Sequence, residues 1–184
     1  MLSAPRLLSS VLIAGGALVA TGLPAVAATA TATVTGGTLG FVSAPANTGF
    51  NVSLTGTDVV ATATQTFDVG DATGSGAGWN ITATSTTFTA GSHNLSPTAV
   101  TVQAVPTAAC DSGASCTVAT NTVSYPYTLP AGATAPTATK IFSSAANTGL
   151  GNQIVTLVLT LDIPANTFAG SYSSTWTYSL VSGP

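Results

Sequence analysis

Few side chains in this 184-residue chain can do acid–base, nucleophilic or metal chemistry. Beyond residue 28 they are His93, Lys140 and five aspartates: Asp58, Asp68, Asp71, Asp111 and Asp162. Glutamate is absent, and the one arginine is Arg6. Proton transfer and covalent catalysis need such groups held against one another. His93 lies in TAGSHNLSP, a Gly, Ser and Pro loop in which a solvated imidazole is a simpler reading than a catalytic one. No Gly-x-Ser-x-Gly elbow surrounds any serine. The expectation is a protein that is not an enzyme and carries no cofactor.

Asp68 and Asp71 stand in the glycine-rich stretch DVGDATGSG, where carboxylates can hold calcium. Calcium takes about six to eight oxygen ligands, and the spacing here does not match an EF-hand loop. The expected role of both is to cap turns through nearby backbone N–H groups. Cys110 and Cys116, in CDSGASC, are separated by turn residues and read as a local disulfide in an exported protein. A zinc site would need more ligands than one histidine and two cysteines give. Asn-x-Ser/Thr sequons begin at Asn51, Asn80 and Asn94, and they matter only in a host that glycosylates.

The aromatic residues are the remaining candidates. Trp79, Asn80, Trp176 and Tyr178 could bind a sugar, since a pyranose stacks its apolar face on a ring while its hydroxyls bond to neighbouring amides. The opposing reading is packing. With two tryptophans and six phenylalanines in a chain dominated by Ala, Thr, Gly and Ser, the interior must use its large side chains. On that reading Trp79, opening a strand after a glycine run, seats a ring in the core.

These residues must be positioned by strands. Thr, Val and Ser are frequent, and Pro or Gly interrupts the sequence every ten residues or so, the pattern of an all-β sandwich or barrel. In Ile154 to Ile163, Val155, Leu157, Leu159, Leu161 and Ile163 share one face, with Thr156, Thr160 and Asp162 on the other. In the last segment Tyr172, Trp176, Tyr178 and Leu180 share a face. PANTFAG, 164 to 170, reads as the turn joining these two strands into an antiparallel pair. Further strands are expected near Phe50 to Leu54, Val59 to Val69, Trp79 to Phe88, Ala99 to Val105, Asn121 to Leu129 and Thr139 to Ser143. The expected fold is an antiparallel β-sandwich, Ig-like or Greek-key-like, in a single domain over 29–184.

Residues 1–28 read as a secretory signal peptide. Arg6 is followed by an apolar run and then AVAA, with cleavage after Ala27 or Ala28. The run is shorter than the roughly 20 residues of a spanning helix and contains serines and glycines. Removing it leaves one lysine against five aspartates, so a nucleic-acid partner, which needs clustered Lys and Arg, is not expected.

Two stretches resemble the WxL domain of Gram-positive surface proteins. DATGSGAGWNI places Asp71, Gly74, Gly76, Gly78, Trp79 and Ile81 at the spacing of that family's first motif, and YSSTWTYSLVSGP supplies Tyr172, Leu180 and Pro184 of the second. Thr73, Ile81 and Tyr178 stand where the family tends to have Arg, Leu and Trp, and Trp176 lies two residues before Tyr178. The resemblance runs from about Thr33 to Pro184. It implies a secreted domain attached non-covalently to the cell wall, with peptidoglycan as ligand and membrane-anchored surface proteins as further partners. Its motif residues, Asp71, Trp79, Asn80, Ile81, Trp176, Tyr178 and Leu180, become the candidate binding set. No Leu-Pro-x-Thr-Gly motif occurs, so covalent anchoring is not expected. The alternative is a structural subunit of a surface layer or fibre, self-associating through exposed Thr-rich strands.

Overall fold

The computed structural model describes residues 27–184. The expected signal peptide falls almost wholly on residues 1–26, outside the described residues. The chain divides into two units, Met1–Val34 and Thr35–Pro184. Of the first, Ala27–Val34 is exposed and carries no strand.

The second unit is built from strands alone. In chain order they are β1 (Leu39–Phe41), β2 (Val59–Asp71), β3 (Trp79–Thr86), β4 (Thr89–Ala90), β5 (His93–Asn94) and β6 (Val100–Val102). There follow β7 (Thr107–Cys110), β8 (Tyr127–Thr128), β9 (Ala131–Gly132), β10 (Thr139–Ser144), β11 (Gly151–Ile163) and β12 (Trp176–Ser182). One sheet has the order β1-β2-β11-β6-β8, with β7 also on β11; the other has β10-β3-β12, with a short parallel contact from β9 to β3. All other pairings are antiparallel, and β4 and β5 form a small separate ribbon. The two main sheets pack face to face as an antiparallel β-sandwich, the expected class.

Period-two alternation builds the interior. Phe67 and Val69 of β2 and Val155, Leu157, Leu159 and Leu161 of β11 turn inward and are buried, as the alternation of Ile154 to Ile163 predicts. Trp79, Ile81 and Ala83 of β3 face them with no exposed surface. In β10 the register slips between Lys140 and Phe142, and this bulge lets both Ile141 and Phe142 reach the core. Burying a side chain of this size contributes about 1.5–3 kcal/mol.

Three expectations fail. β11 and β12 do not pair: β11 lies between β2 and β6 in one sheet, whereas β12 pairs with β3 in the other. The segment containing PANTFAG is therefore a crossover between sheets. The inward faces of both strands are apolar, and they are covered by facing one another across the core rather than lying side by side. Phe50 to Leu54 forms no strand; it is a loop with Phe50 and Val52 packed on the core. Asn121 to Leu129 shrinks to one bridge, Asn121 to Ser144, plus β8, because Pro126 has no N–H for a ladder.

Candidate functional site

The stretch DATGSGAGWNI proves to be a scaffold. Asp71 ends β2 buried, and its Oδ1 accepts hydrogen bonds from the backbone N–H of Thr73 at 3.0 Å and from the Thr73 hydroxyl at 2.7 Å. That is the turn-capping role expected of it. Gly78 has φ +74°, and a Cβ there would lie 2.5 Å from the Ser144 carbonyl oxygen, so only glycine lets the chain pass β10. Trp79 then enters the core, stacked on Phe142 with centroids 5.4 Å apart, and its indole Nε1–H donates to the Gly149 carbonyl at 2.9 Å.

Asn80 is also buried and donates through Nδ2 to the Gly183 carbonyl at 2.8 Å, tying β3 to the end of the chain. Its burial also removes it as a glycosylation acceptor in the folded domain, whereas Asn51 and Asn94 are exposed. Asp71, Trp79, Asn80 and Ile81 are thus all buried, none more than 4% exposed, and each packs or bonds within the fold. Leu180 is half-buried against the core, opposite Ile81.

Trp176 and Tyr178 stand apart from this group. They lie on the inward face of β12, near its free edge, and both remain partly exposed. Around Trp176 the rings of Phe88, Tyr178 and Phe50 sit 6.3, 6.2 and 6.5 Å away. Tyr178 contacts Phe67 edge-on at 4.8 Å, and burial raises the pKa of its hydroxyl well above the usual tyrosine value. A cleft of about 660 Å³ opens here, walled by Trp176, Tyr178, Tyr172, Phe41 and Phe88, with Asn47, Thr48, Gln65 and Ser174 among its polar groups. Thr48 donates its hydroxyl to Gln65 Oε1, fixing the 45–50 segment over the opening. A neighbouring cleft of about 620 Å³, walled by Phe50, Ile163, Phe168 and Tyr172, shares Thr48, Phe88 and Tyr172 with the first. No acidic, basic or histidine side chain lines either one.

The sequence reading did not single out Phe41, Asn47, Gln65 or Phe88. The signal available was an aromatic residue just beside a short β-run, and it gains meaning only when five chain segments meet. Three stretches share the sequence Ala-Asn-Thr, at 46–48, 146–148 and 165–167, and they do different things. Asn147, in the left-handed region at φ 62°, donates its backbone N–H to Gly76 and clasps the glycine run, whereas Thr48 closes the groove. In the third, Thr167 N–H closes a turn on the Pro164 carbonyl.

The chemistry-bearing side chains are dispersed. His93 stacks its ring on Phe168 at 4.0 Å on the surface. Among the described residues no three His, Cys, Asp or Glu side chains come close enough to share a metal ion. Cys110 and Cys116 form the expected disulfide, with Cα atoms 5.5 Å apart, closing a small loop at the end of β7.

Fold and site together define an antiparallel β-sandwich with an uncharged aromatic groove at one open edge. Compared with protein-family models, curated proteins and solved structures, the chain matches none.

Proposed function

We propose that this is a secreted, non-enzymatic surface protein that attaches non-covalently to a Gram-positive cell wall by seating the glycan of peptidoglycan in the Trp176 groove. The observation that carries the reading is the groove itself: several partly exposed rings flanked by amides and hydroxyls, with no charge. Rings offer stacking surfaces to the apolar faces of sugars, and amides and hydroxyls match sugar hydroxyls and acetamido groups. The disulfide supports export, since such bonds persist in oxidising compartments. The resemblance of the buried motif to WxL domains supports the address. On this reading Trp79 and Asp71 hold the strand behind the groove, and Trp176 and Tyr178 meet the ligand.

Retention of the purified chain on isolated peptidoglycan tests this directly. Trp176→Ala removes an aromatic anchor and is expected to weaken retention about thirtyfold, the scale of a hot-spot tryptophan. Val105→Ala, at an exposed valine outside the groove, should leave it unchanged. Absence of retention by the wild-type chain, or equal retention by a folded Trp176→Ala variant, overturns the proposal.

A further inference from the structure

The larger sheet ends on an edge that no strand covers over Val59–Phe67 among the described residues. β2 pairs with β11 in unbroken register from Val59↔Ile163 to Asp71↔Gly151. On its other side β1 covers only Val69–Asp71, with one further bond from Val42 N–H to the Asp68 carbonyl. Successive residues of an antiparallel strand turn their backbone groups alternately to the two neighbours. The Asp68 carbonyl and Ala72 N–H are both used on the β1 side, so Val60, Thr62, Thr64 and Thr66 also direct their N–H and C=O groups away from β11.

Among the described residues no backbone hydrogen bond from another segment reaches Val60, Thr62 or Thr64 on that side. The Thr66 carbonyl takes only the side-chain amide of Gln65, at 3.0 Å. The side chains of these four residues are exposed, Val60 to 60%. Edge strands are ordinarily blunted by lysine, proline, a bulge or shortness. Between Val59 and Phe67 there is no lysine, no proline and no slip in register.

We propose that this edge is a two-fold pairing site for a second copy of the chain, β2 lying antiparallel against β2 and centred on Thr62–Thr64. Self-complementarity identifies the occupant. Under a two-fold axis each free N–H meets a free C=O of the same strand in the other copy, because the contact is isologous. The segment has no charge, so the strand meets its own copy without like-charge repulsion. Val and Thr suit a pleated, half-exposed surface, and Thr–Thr and Val–Thr are favourable cross-strand neighbours. Asp58 on one side and Asp68, already bonded to Val42, on the other bound the stretch that can pair.

A two-fold contact uses up the β2 edge in both copies and stops at a dimer, whereas a head-to-tail contact would run on into a filament. Two copies joined this way carry two aromatic grooves, and on a repeating polymer two weak sites act together as a strong one. That consequence rests on the glycan reading; the pairing itself does not, and its test needs no wall material.

Sedimentation velocity of the purified chain over a dilution series reads the pairing. The wild-type chain should pass from dimer to monomer on dilution. Thr64→Pro removes an N–H that β11 does not use, a substitution edge strands tolerate. Thr62→Lys places two lysines diagonally across the axis, each opposite Thr64 of the other copy, where their like charges repel. Each variant should sediment as a monomer, with an unchanged circular dichroism spectrum, at concentrations where the wild type is a dimer. Where Thr64→Pro fails to fold, Thr62→Lys, altered only at an exposed side chain, decides. A wild-type chain that stays monomeric at every soluble concentration, open-ended oligomers in place of a dimer, or a folded Thr62→Lys that dimerises like wild type would each overturn the proposal.

Discussion

The indole N–H of Trp79 donates to the carbonyl of Gly149 at 2.9 Å, joining residues that stand 70 apart in the chain. The bond links the first residue of β3 to the loop that leads from β10 in one sheet to β11 in the other. It also fixes what Gly149 can be. With φ +85° and a would-be Cβ 2.5 Å from Trp79 Nε1, this position has room for glycine alone.

Gly149→Ala is therefore expected to destabilise the domain by more than about 1 kcal/mol, since alanine is strained at positive φ and collides with the indole. Urea unfolding followed by circular dichroism measures it. An unchanged midpoint would show that the loop relaxes away from Trp79 without cost.

Trp79→Ala empties the largest fully buried side-chain site and should cost about 3–5 kcal/mol. Trp79→Phe keeps part of the volume but leaves the Gly149 carbonyl without its donor, a loss of about 1–3 kcal/mol. Denaturant midpoints of the two variants should fall in that order below wild type. In the wild-type chain Trp79 should resist acrylamide quenching while Trp176 is quenched, a difference that Trp176→Phe isolates.

Alkaline pH should weaken the fold. Burial, with a smaller contribution from the neighbouring Tyr127, raises Tyr125 from its ordinary 10.0 to about 12, against an opposing hydrogen bond from Asn121. Burial raises Tyr178 in the same direction. Above pH 10 the unfolded tyrosines lose protons that the folded ones keep, so the unfolded state binds fewer protons and stability falls as pH rises. The stabilisation is complete below about pH 10 and declines through about pH 12. Thermal melts across that window should show a falling midpoint, and Tyr125→Phe should flatten part of the slope.

Reducing the Cys110–Cys116 bond should cost less than about 3 kcal/mol, because the loop it closes is short and the entropy it removes from the unfolded chain is correspondingly small. Melts with and without reductant check this. Loss of all folded structure on reduction would contradict it and make the disulfide a condition of folding.

Much of the architecture was legible because alternation is local. The inward set Val155, Leu157, Leu159 and Leu161 can be read from residue spacing, since a strand's geometry sends every second side chain the same way. The same holds for Trp176, Tyr178 and Leu180. Which strand lies beside which was not legible: β11 and β12 are neighbours in sequence, and a turn-rich linker suits a hairpin and a crossover equally well. The loop seating of Phe50 and Val52 was hidden for a related reason, since a short apolar run looks the same whether it joins a ladder or packs on the core from a loop.

The candidate site divides along the same line. By itself the sequence determined the all-β class, the nearby cysteine pair, the scarcity of catalytic groups and the two aromatic motifs, because each depends on composition or on neighbours a few residues apart. Only the tertiary structure decided that Trp79 is wholly enclosed while Trp176 faces a groove. It also showed that Phe41, Asn47, Gln65, Phe88 and Tyr172 gather around Trp176, and that the β2 edge is left bare. Burial and unpaired backbone are properties of what the rest of the chain brings to a residue, and long-range packing alone sets them.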